Sequence, residues 1–223
     1  MNSSRRNARR WGREVRLVLA SNNRKKLAEL QALLAPAGVE LIAQGALGVD
    51  EAEEPFHTFV ENALTKARHA ARHSGGAAIA DDSGLCVAAL GGAPGVASAH
   101  YARELPRDGE REARRALQDA ANNALLLERL QGAADRRAHF VSTLVALRSA
   151  DDPEPLIAVG RWFGEILPAP RGTGGFGYDP LMFIPELGAA VAELGTEIKN
   201  AHSHRALAAA QMLKLMRGAW QLG

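Results

Sequence analysis

The sequence predicts an α/β fold, and three observations carry that prediction. Short β-branched runs alternate with stretches of helical periodicity, polar or helix-capping residues stand at the ends of the strands, and 223 residues suffice to bury a large core without staples.

Val15 to Ala20 is a short apolar run that stops at Ser21-Asn22-Asn23, residues that cap helices. Leu27, Leu30, Leu33 and Leu34 then recur at helical spacing until Pro36 and Gly38 end the pattern, and Val39 to Ala43 reads as the second strand of a β-α-β start. An acidic, irregular segment from Gly48 to Pro55 follows. Thr58 and Glu61 have the spacing of a capping box ahead of an alanine-rich helix that runs to about Ser74. Ala77 to Ala80 predicts a small strand ending in Asp81-Asp82-Ser83-Gly84, with Leu85 to Leu90 as another extended piece. Asp108 to Leu130 predicts a long helix with Leu117, Leu125, Leu126 and Leu130 inward. Phe140 to Arg148 and Leu156 to Leu167 form an antiparallel hairpin turning at Asp151-Asp152-Pro153. The pattern closes with a strand from Pro180 to Ile184, a helical turn over Ala189 to Leu194, and a final helix from Ser203 to Arg217. No repeat or low-complexity linker interrupts it, so the reading is two lobes on one continuous sheet, with a ligand cleft between them.

Composition removes several classes of function. Cys86 is the only cysteine, so neither a disulfide nor a cysteine-based metal site can form within one chain, which fits a reducing cytosol. Charges interrupt every apolar stretch before the ~18 residues of a spanning helix, so a soluble protein without a membrane partner is expected. Residues 1–14 carry Arg5, Arg6, Arg9, Arg10 and Arg13 and read as a disordered basic tail, with a targeting peptide or a nucleic-acid arm as alternatives. Without those five arginines the formal net charge of +2 becomes −3, so the basic balance is poor evidence for a nucleic-acid partner.

Four groups of residues can carry chemistry. Ser21, Asn23 and Lys26 stand at the first strand–helix junction, where free N–H groups and a lysine suit a phosphate; a plain N-cap with solvated lysines is the other reading. Glu51, Glu53 and Glu54, with Glu61, Lys66, Asp81 and Asp82, bring carboxylates from two loops, as Mg²⁺ bound partly through water and substrate phosphates requires, although Asp-Asp-Ser-Gly also reads as a turn. Lys199, His202, His204 and Arg205 lie at the start of the last helix and offer cations to a phosphate or a purine carbonyl. The fourth is Gly172-Thr173-Gly174-Gly175-Phe176-Gly177-Tyr178-Asp179-Pro180, either a flexible hairpin loop or a backbone shaped to bring Phe176 and Asp179 against a ligand. Together they describe a nucleotide site.

These residues also fall into motifs. Ser21-x-Asn23-x-x-Lys26-x-x-Glu29, Thr58-Phe59-x-Glu61-Asn62-Ala63-x-x-Lys66-Ala67, Ala80-Asp81-Asp82-Ser83-Gly84-Leu85, Gly91-Gly92-Ala93-Pro94-Gly95, Gly-Phe-Gly-Tyr-Asp-Pro and Ser203-His204-Arg205 occur in that order. From about Val15 to the C-terminus the chain resembles the inosine triphosphate pyrophosphatases, which hydrolyse ITP, dITP and XTP. The resemblance implies an elongated, two-lobed α/β fold with a long mixed sheet flanked by helices and a cleft between lobes, residues 15–223 forming one domain, usually in a homodimer. It implies cytoplasmic nucleotide-pool cleansing, in which dXTP is a substrate too, with Mg²⁺, or Mn²⁺ in its place, as cofactor.

By the same resemblance Ser21, Asn23 and Lys26 hold the triphosphate with help from Lys66, Glu54 and Asp82 engage the metal, and Asp81 or Asp82 orients or deprotonates the attacking water. Phe176 stacks on the purine, and Ser83, Gly177, Tyr178, Asp179, Lys199, Ser203, His204 and Arg205 complete the substrate site. Pro55, His100 and His202 depart from the family pattern. Two competing readings are a binding protein that uses the basic tail for RNA and performs no chemistry, and a pyrophosphatase for pyrimidine or methylated nucleotides like the septum-formation-inhibitor family.

Overall fold

The computed structural model describes residues 15–103 and 110–221, so the basic tail lies outside the described residues. Seven strands form one mixed sheet: β1 (Val15–Leu19), β2 (Val39–Ala43), β3 (Ala78–Val87), β4 (Arg137–Leu147), β5 (Leu156–Ile166), β6 (Met182–Ile184) and β7 (Ala189–Ala190). Their order is β2-β1-β3-β4-β5-β6-β7; β1 pairs in parallel with β2 and β3, and every later pairing is antiparallel. The helices are α1 (Arg24–Leu34), α2 (Phe59–Ser74), α3 (Arg111–Arg129), α4 (Thr196–His202) and α5 (His204–Ala219). No described helix is long and apolar enough to cross a membrane.

Strand alternation divides the core. On one face, Leu17, Leu19, Ile79, Leu144 and Ala158 pack with Leu30 and Leu34 of α1 and Met212 and Met216 of α5. Further along the same strands, Leu85, Phe140, Trp162 and Ile166 pack with Leu126 and Leu130 from the end of α3. Between these two apolar bodies the same face carries Asp81, Ser83, Ser142 and Gly160, so a polar seam crosses the sheet there. A Cβ at Gly160 would strike the His204 carbonyl and the Ala208 amide, and its absence lets α5 lie directly on β5. On the opposite face Ala63, Ala67, Ala70 and Ala71 give α2 a flat stripe against Val18, Ala20, Ala78, Ala80 and Val145.

Four expectations need correction. Asp81 and Asp82 do not end a strand: β3 runs continuously through them, with donors on neighbouring elements meeting both Asp81 oxygens and one oxygen of Asp82 in mid-sheet. Leu117 is exposed rather than inward, since it lies nine residues before Leu126 and therefore half a turn away from it on α3. Ala189 and Ala190 are the edge strand β7, with a 3-10 turn only from Val191 to Glu193. Helix α4 occupies a segment for which no element was predicted.

Candidate active site

Asp81 sits at the centre of the polar seam and is saturated with donors. Its Oδ1 accepts from Ser142 Oγ at 2.7 Å, and its Oδ2 meets Ser83 Oγ at 3.0 Å, Lys26 Nζ at 3.1 Å and Arg205 Nε at 3.2 Å. Burial alone would raise its pKa, but the Lys26 and Arg205 charges outweigh burial and hold the carboxyl far below its usual range. Lys26 and Arg205 are therefore fixed by the same buried anion. Lys26 does not stand free at the helix start as a solvated lysine would; burial lowers its pKa.

Asp82 points to the opposite face and meets a different environment. Its Oδ1 accepts from Lys66 Nζ at 2.9 Å, while its buried Oδ2 has no hydrogen-bond partner among the described residues. Lys66 Nζ also reaches Glu54 Oε2 at 3.0 Å, so α2 holds a carboxylate from the acidic loop beside one from the strand. Burial, with Glu54 adding repulsion, pushes the Asp82 carboxyl up to about 6 despite Lys66. At Glu54, burial is overcome by the Lys66 ammonium and the pKa falls. Thr58 caps α2 by accepting from the Glu61 amide, which brings Lys66 two turns later beneath the strand.

This pair fits a hard, oxygen-seeking cation: an orphaned carboxylate oxygen with a second, partly exposed carboxylate next to it. Among the described residues no three histidine, cysteine or carboxylate groups converge, so an ion here would draw its remaining ligands from water or from phosphate oxygens. The β1–α1 junction, which carries Lys26, is near enough for that lysine's charge to act on both Asp82 and Glu54. Asn23 Oδ1 caps α1 by accepting from the amides of Lys25 and Lys26, and Ser21 Oγ accepts from the Asn23 amide. Both readings of this junction thus share one geometry, since capping consumes Asn23 Oδ1 and leaves its amide NH₂. A cavity of about 450 Å³ opens there, lined in part by Asn22, Asn23, Arg24 and Gly45.

The glycine-rich loop faces the same cationic residues from the other side. The Phe176 ring is half-buried, with the Arg205 guanidinium 5.4 Å from its centroid and Lys199 Nζ at 5.6 Å. Asp179 Oδ2 accepts from Lys199 Nζ at 2.9 Å and from the Phe176 amide at 3.1 Å. Gly175 has φ +75°, and a Cβ there would collide with the Asp179 carboxylate, so the loop's shape requires glycine at that position. Arg205 spans both ends of the site: it contacts Asp81, donates to Ser83 Oγ at 2.9 Å, pairs with Glu29 at 3.0 Å and flanks Phe176.

Two predicted residues are placed behind this wall. Tyr178 is buried with its hydroxyl donating to the Ser98 carbonyl at 2.9 Å, and His204 is buried with its ring stacked on Phe140 at 5.0 Å. Ser203 caps α5 through the Ala206 amide, and His202 and His100 are exposed. Sequence reasoning passed over Ser142, although a Ser-Thr pair inside the apolar run of β4 was a signal. It also passed over Asp119 and Asn123 of α3, which grip the Gly177 backbone at 2.8 and 3.0 Å.

The Ham1 family model matches residues 17–215. The chain belongs to the Ham1 family. Among its relatives, a Methylibium petroleiphilum protein called dITP/XTP pyrophosphatase is 71% identical over 206 residues, 92% of this chain and 99% of that one. A Leptothrix cholodnii protein of the same name is 69% identical over 93% of this chain and all of its own length. A solved Ham1 structure from Coxiella burnetii superposes with a TM-score of 0.80 at 42% identity, covering 92% of this chain and all of that one. The family's mixed sheet flanked by helices is the fold described above.

Proposed function

We propose that this Ham1 protein is a dITP/XTP pyrophosphatase. It hydrolyses dITP, ITP, XTP and dXTP to the monophosphate and pyrophosphate and so keeps these bases out of DNA and RNA. The observation that carries the reading is the span of Arg205, which joins the buried Asp81 carboxylate to an aromatic ring framed by glycines, while the next residue, Asp82, keeps an unpartnered oxygen on the other face of the strand. The names of relatives up to 71% identical support the same reaction. They favour it over an RNA-binding role without chemistry.

In this reading Ser21, the Asn23 amide, Lys26 and Lys66 bind the triphosphate. Glu54 and Asp82 would hold Mg²⁺, with Mn²⁺ able to replace it; bound there, the metal would offset the phosphate charge that repels a nucleophile. Asp82, which keeps an unpartnered oxygen, orients the attacking water and takes its proton. The water oxygen bonds to the α-phosphorus as the α–β bridging P–O bond breaks, and pyrophosphate leaves with the electron pair. Asp81, with four donors on its two oxygens, fixes Lys26 and Arg205 and performs no proton transfer.

Phe176 stacks on the purine, with Gly177 shaping the loop and Asp179, Lys199, Arg205, Ser83 and Ser203 bordering the base. Tyr178 and His204 hold this wall from behind. Hypoxanthine and xanthine present a 6-oxo acceptor to these cations, whereas adenine's amino group would leave donors facing donors, at about 1–3 kcal/mol per unpaired group. Residues 15–223 act as one unit with two lobes about the seam. The protein works in the cytoplasm as a homodimer on a small-molecule substrate, without nucleic-acid or membrane partners.

The test is coupled pyrophosphate release from dITP, XTP, ITP, ATP and methylated or pyrimidine triphosphates, with and without Mg²⁺. Turnover confined to the 6-oxopurines and dependent on the metal is expected; equal turnover of ATP and ITP would remove the specificity.

A further inference from the structure

Lys25 occupies a position that the Ser21-x-Asn23-x-x-Lys26 motif leaves open, yet it connects the two ends of the site. Its backbone amide is one of the two capped by Asn23. From there the exposed side chain crosses to the glycine-rich loop, where Nζ donates to the Gly175 carbonyl at 3.2 Å and lies 5.5 Å from the Phe176 ring centroid. The other two cations at that ring are tied to carboxylates, Lys199 to Asp179 and Arg205 to Asp81 and Glu29. Among the described residues no ion pair joins Lys25 to a carboxylate, although its charge acts on Asp119 of α3, and its side-chain hydrogen bond goes to the loop backbone itself.

The loop is consequently held on both sides of the aromatic ring. Helix α3 grips Gly177 through Asp119 on its amide and Asn123 on its carbonyl. Asp179 takes the Phe176 amide. Lys25 supplies the hold at Gly175, from the helix whose next residue, Lys26, serves the carboxylate cluster. With φ values of +75° at Gly175 and +62° at Gly177, the backbone on each side of Phe176 has little intrinsic preference for the observed turn and depends on such contacts.

We propose that Lys25 is a positioning residue for base recognition: by fixing the Gly175 carbonyl it sets the Phe176 ring across the base site, and it governs affinity for the nucleobase rather than the phosphoryl step. The inference rests on the reading of Phe176 as the stacking ring. In EDTA, where no turnover is expected, dissociation constants for inosine and for ITP are measured by NMR titration of the full-length wild type, Lys25→Met, Lys25→Arg and Phe176→Ala. Lys25→Met should weaken both ligands by the same factor, roughly three- to tenfold for one lost charge-assisted hydrogen bond, and Lys25→Arg should restore most of it. Under Mg²⁺ turnover the same loss should enter KM, with kcat unchanged. Because the side chain is exposed, melting temperatures should stay level, and a large drop in Lys25→Met would assign the residue to stability instead.

A loss confined to ITP would make Lys25 a phosphate ligand and overturn the proposal, as would inosine binding that is unchanged in Lys25→Met but lost in Phe176→Ala. If Phe176→Ala also retains inosine, the stacking reading falls, and the role of Lys25 falls with it.

Discussion

Asp81 and Asp82 are neighbours of identical chemistry on one strand, yet the two faces of β3 treat them in opposite ways. On the face covered by α1 and α5, Asp81 receives two hydroxyls and two cations and stays ionised. On the face covered by α2, Asp82 receives one ammonium, keeps an oxygen without a partner and is pushed up to about 6. The difference teaches that reactivity here is set by what each face leaves unsatisfied. A saturated carboxylate organises its surroundings; an unsatisfied one is available to a metal, a water or a proton.

The sharpest way to break the comparison is to neutralise each aspartate in turn. Asp82→Asn should lower kcat for dITP by about 10²–10⁴-fold, the range for removal of a positioned general base, while urea unfolding shows stability within about 1 kcal/mol of wild type. Lys66 keeps Glu54 as a partner in that variant, which is why the fold should survive. Near-normal turnover would take Asp82 out of the mechanism. Asp81→Asn should instead cost about 3–5 kcal/mol of stability, because it leaves the buried charges of Lys26 and Arg205 without their shared anion. Activity should fall as well, but only together with the fold. A variant with wild-type unfolding and no turnover would give Asp81 a chemical role and erase the distinction between the faces.

Most of the framework was legible in the residues. Leucine spacing and the Ser-Asn-Asn stop placed β1 and α1, and Thr58 with Glu61 placed the start of α2, because caps and periodicity are local signals. The members of the site were legible as polar clusters at predicted element ends. Their division between faces was not. Reading Asp81-Asp82-Ser83-Gly84 as the end of a strand hid the alternation that sends the two carboxylates apart, and only the pairing of Ser83 with Ser142 and Asp82 with Thr143 reveals it. Tyr178 and His204 were invisible as core residues for a related reason. A hydroxyl or an imidazole in a polar motif signals a ligand contact, and only the neighbours Ser98 and Phe140, 80 and 64 positions away in sequence, show where each points.

His204 yields the smallest effect and sharpens the comparison from the Asp81 side. Its ring is buried on Phe140, and burial, reinforced by Arg205, Lys26 and Lys199 and opposed by Asp81, drives its pKa well below the ordinary 6.5. Above pH 6.5 the folded and unfolded chains both hold a neutral imidazole, so this residue adds no pH dependence there. Below it the unfolded chain takes up a proton that the folded chain refuses, and stability falls at a slope approaching about 1.4 kcal/mol per pH unit. Replacing the ring with the non-titrating amide of His204→Gln should remove that component, so urea-melt stabilities of wild type and variant should converge as pH is lowered from 7 to 5. Parallel pH profiles would mean that the imidazole titrates normally and that the Asp81 face is open to water after all, leaving the two sides of β3 more alike than their hydrogen bonds indicate.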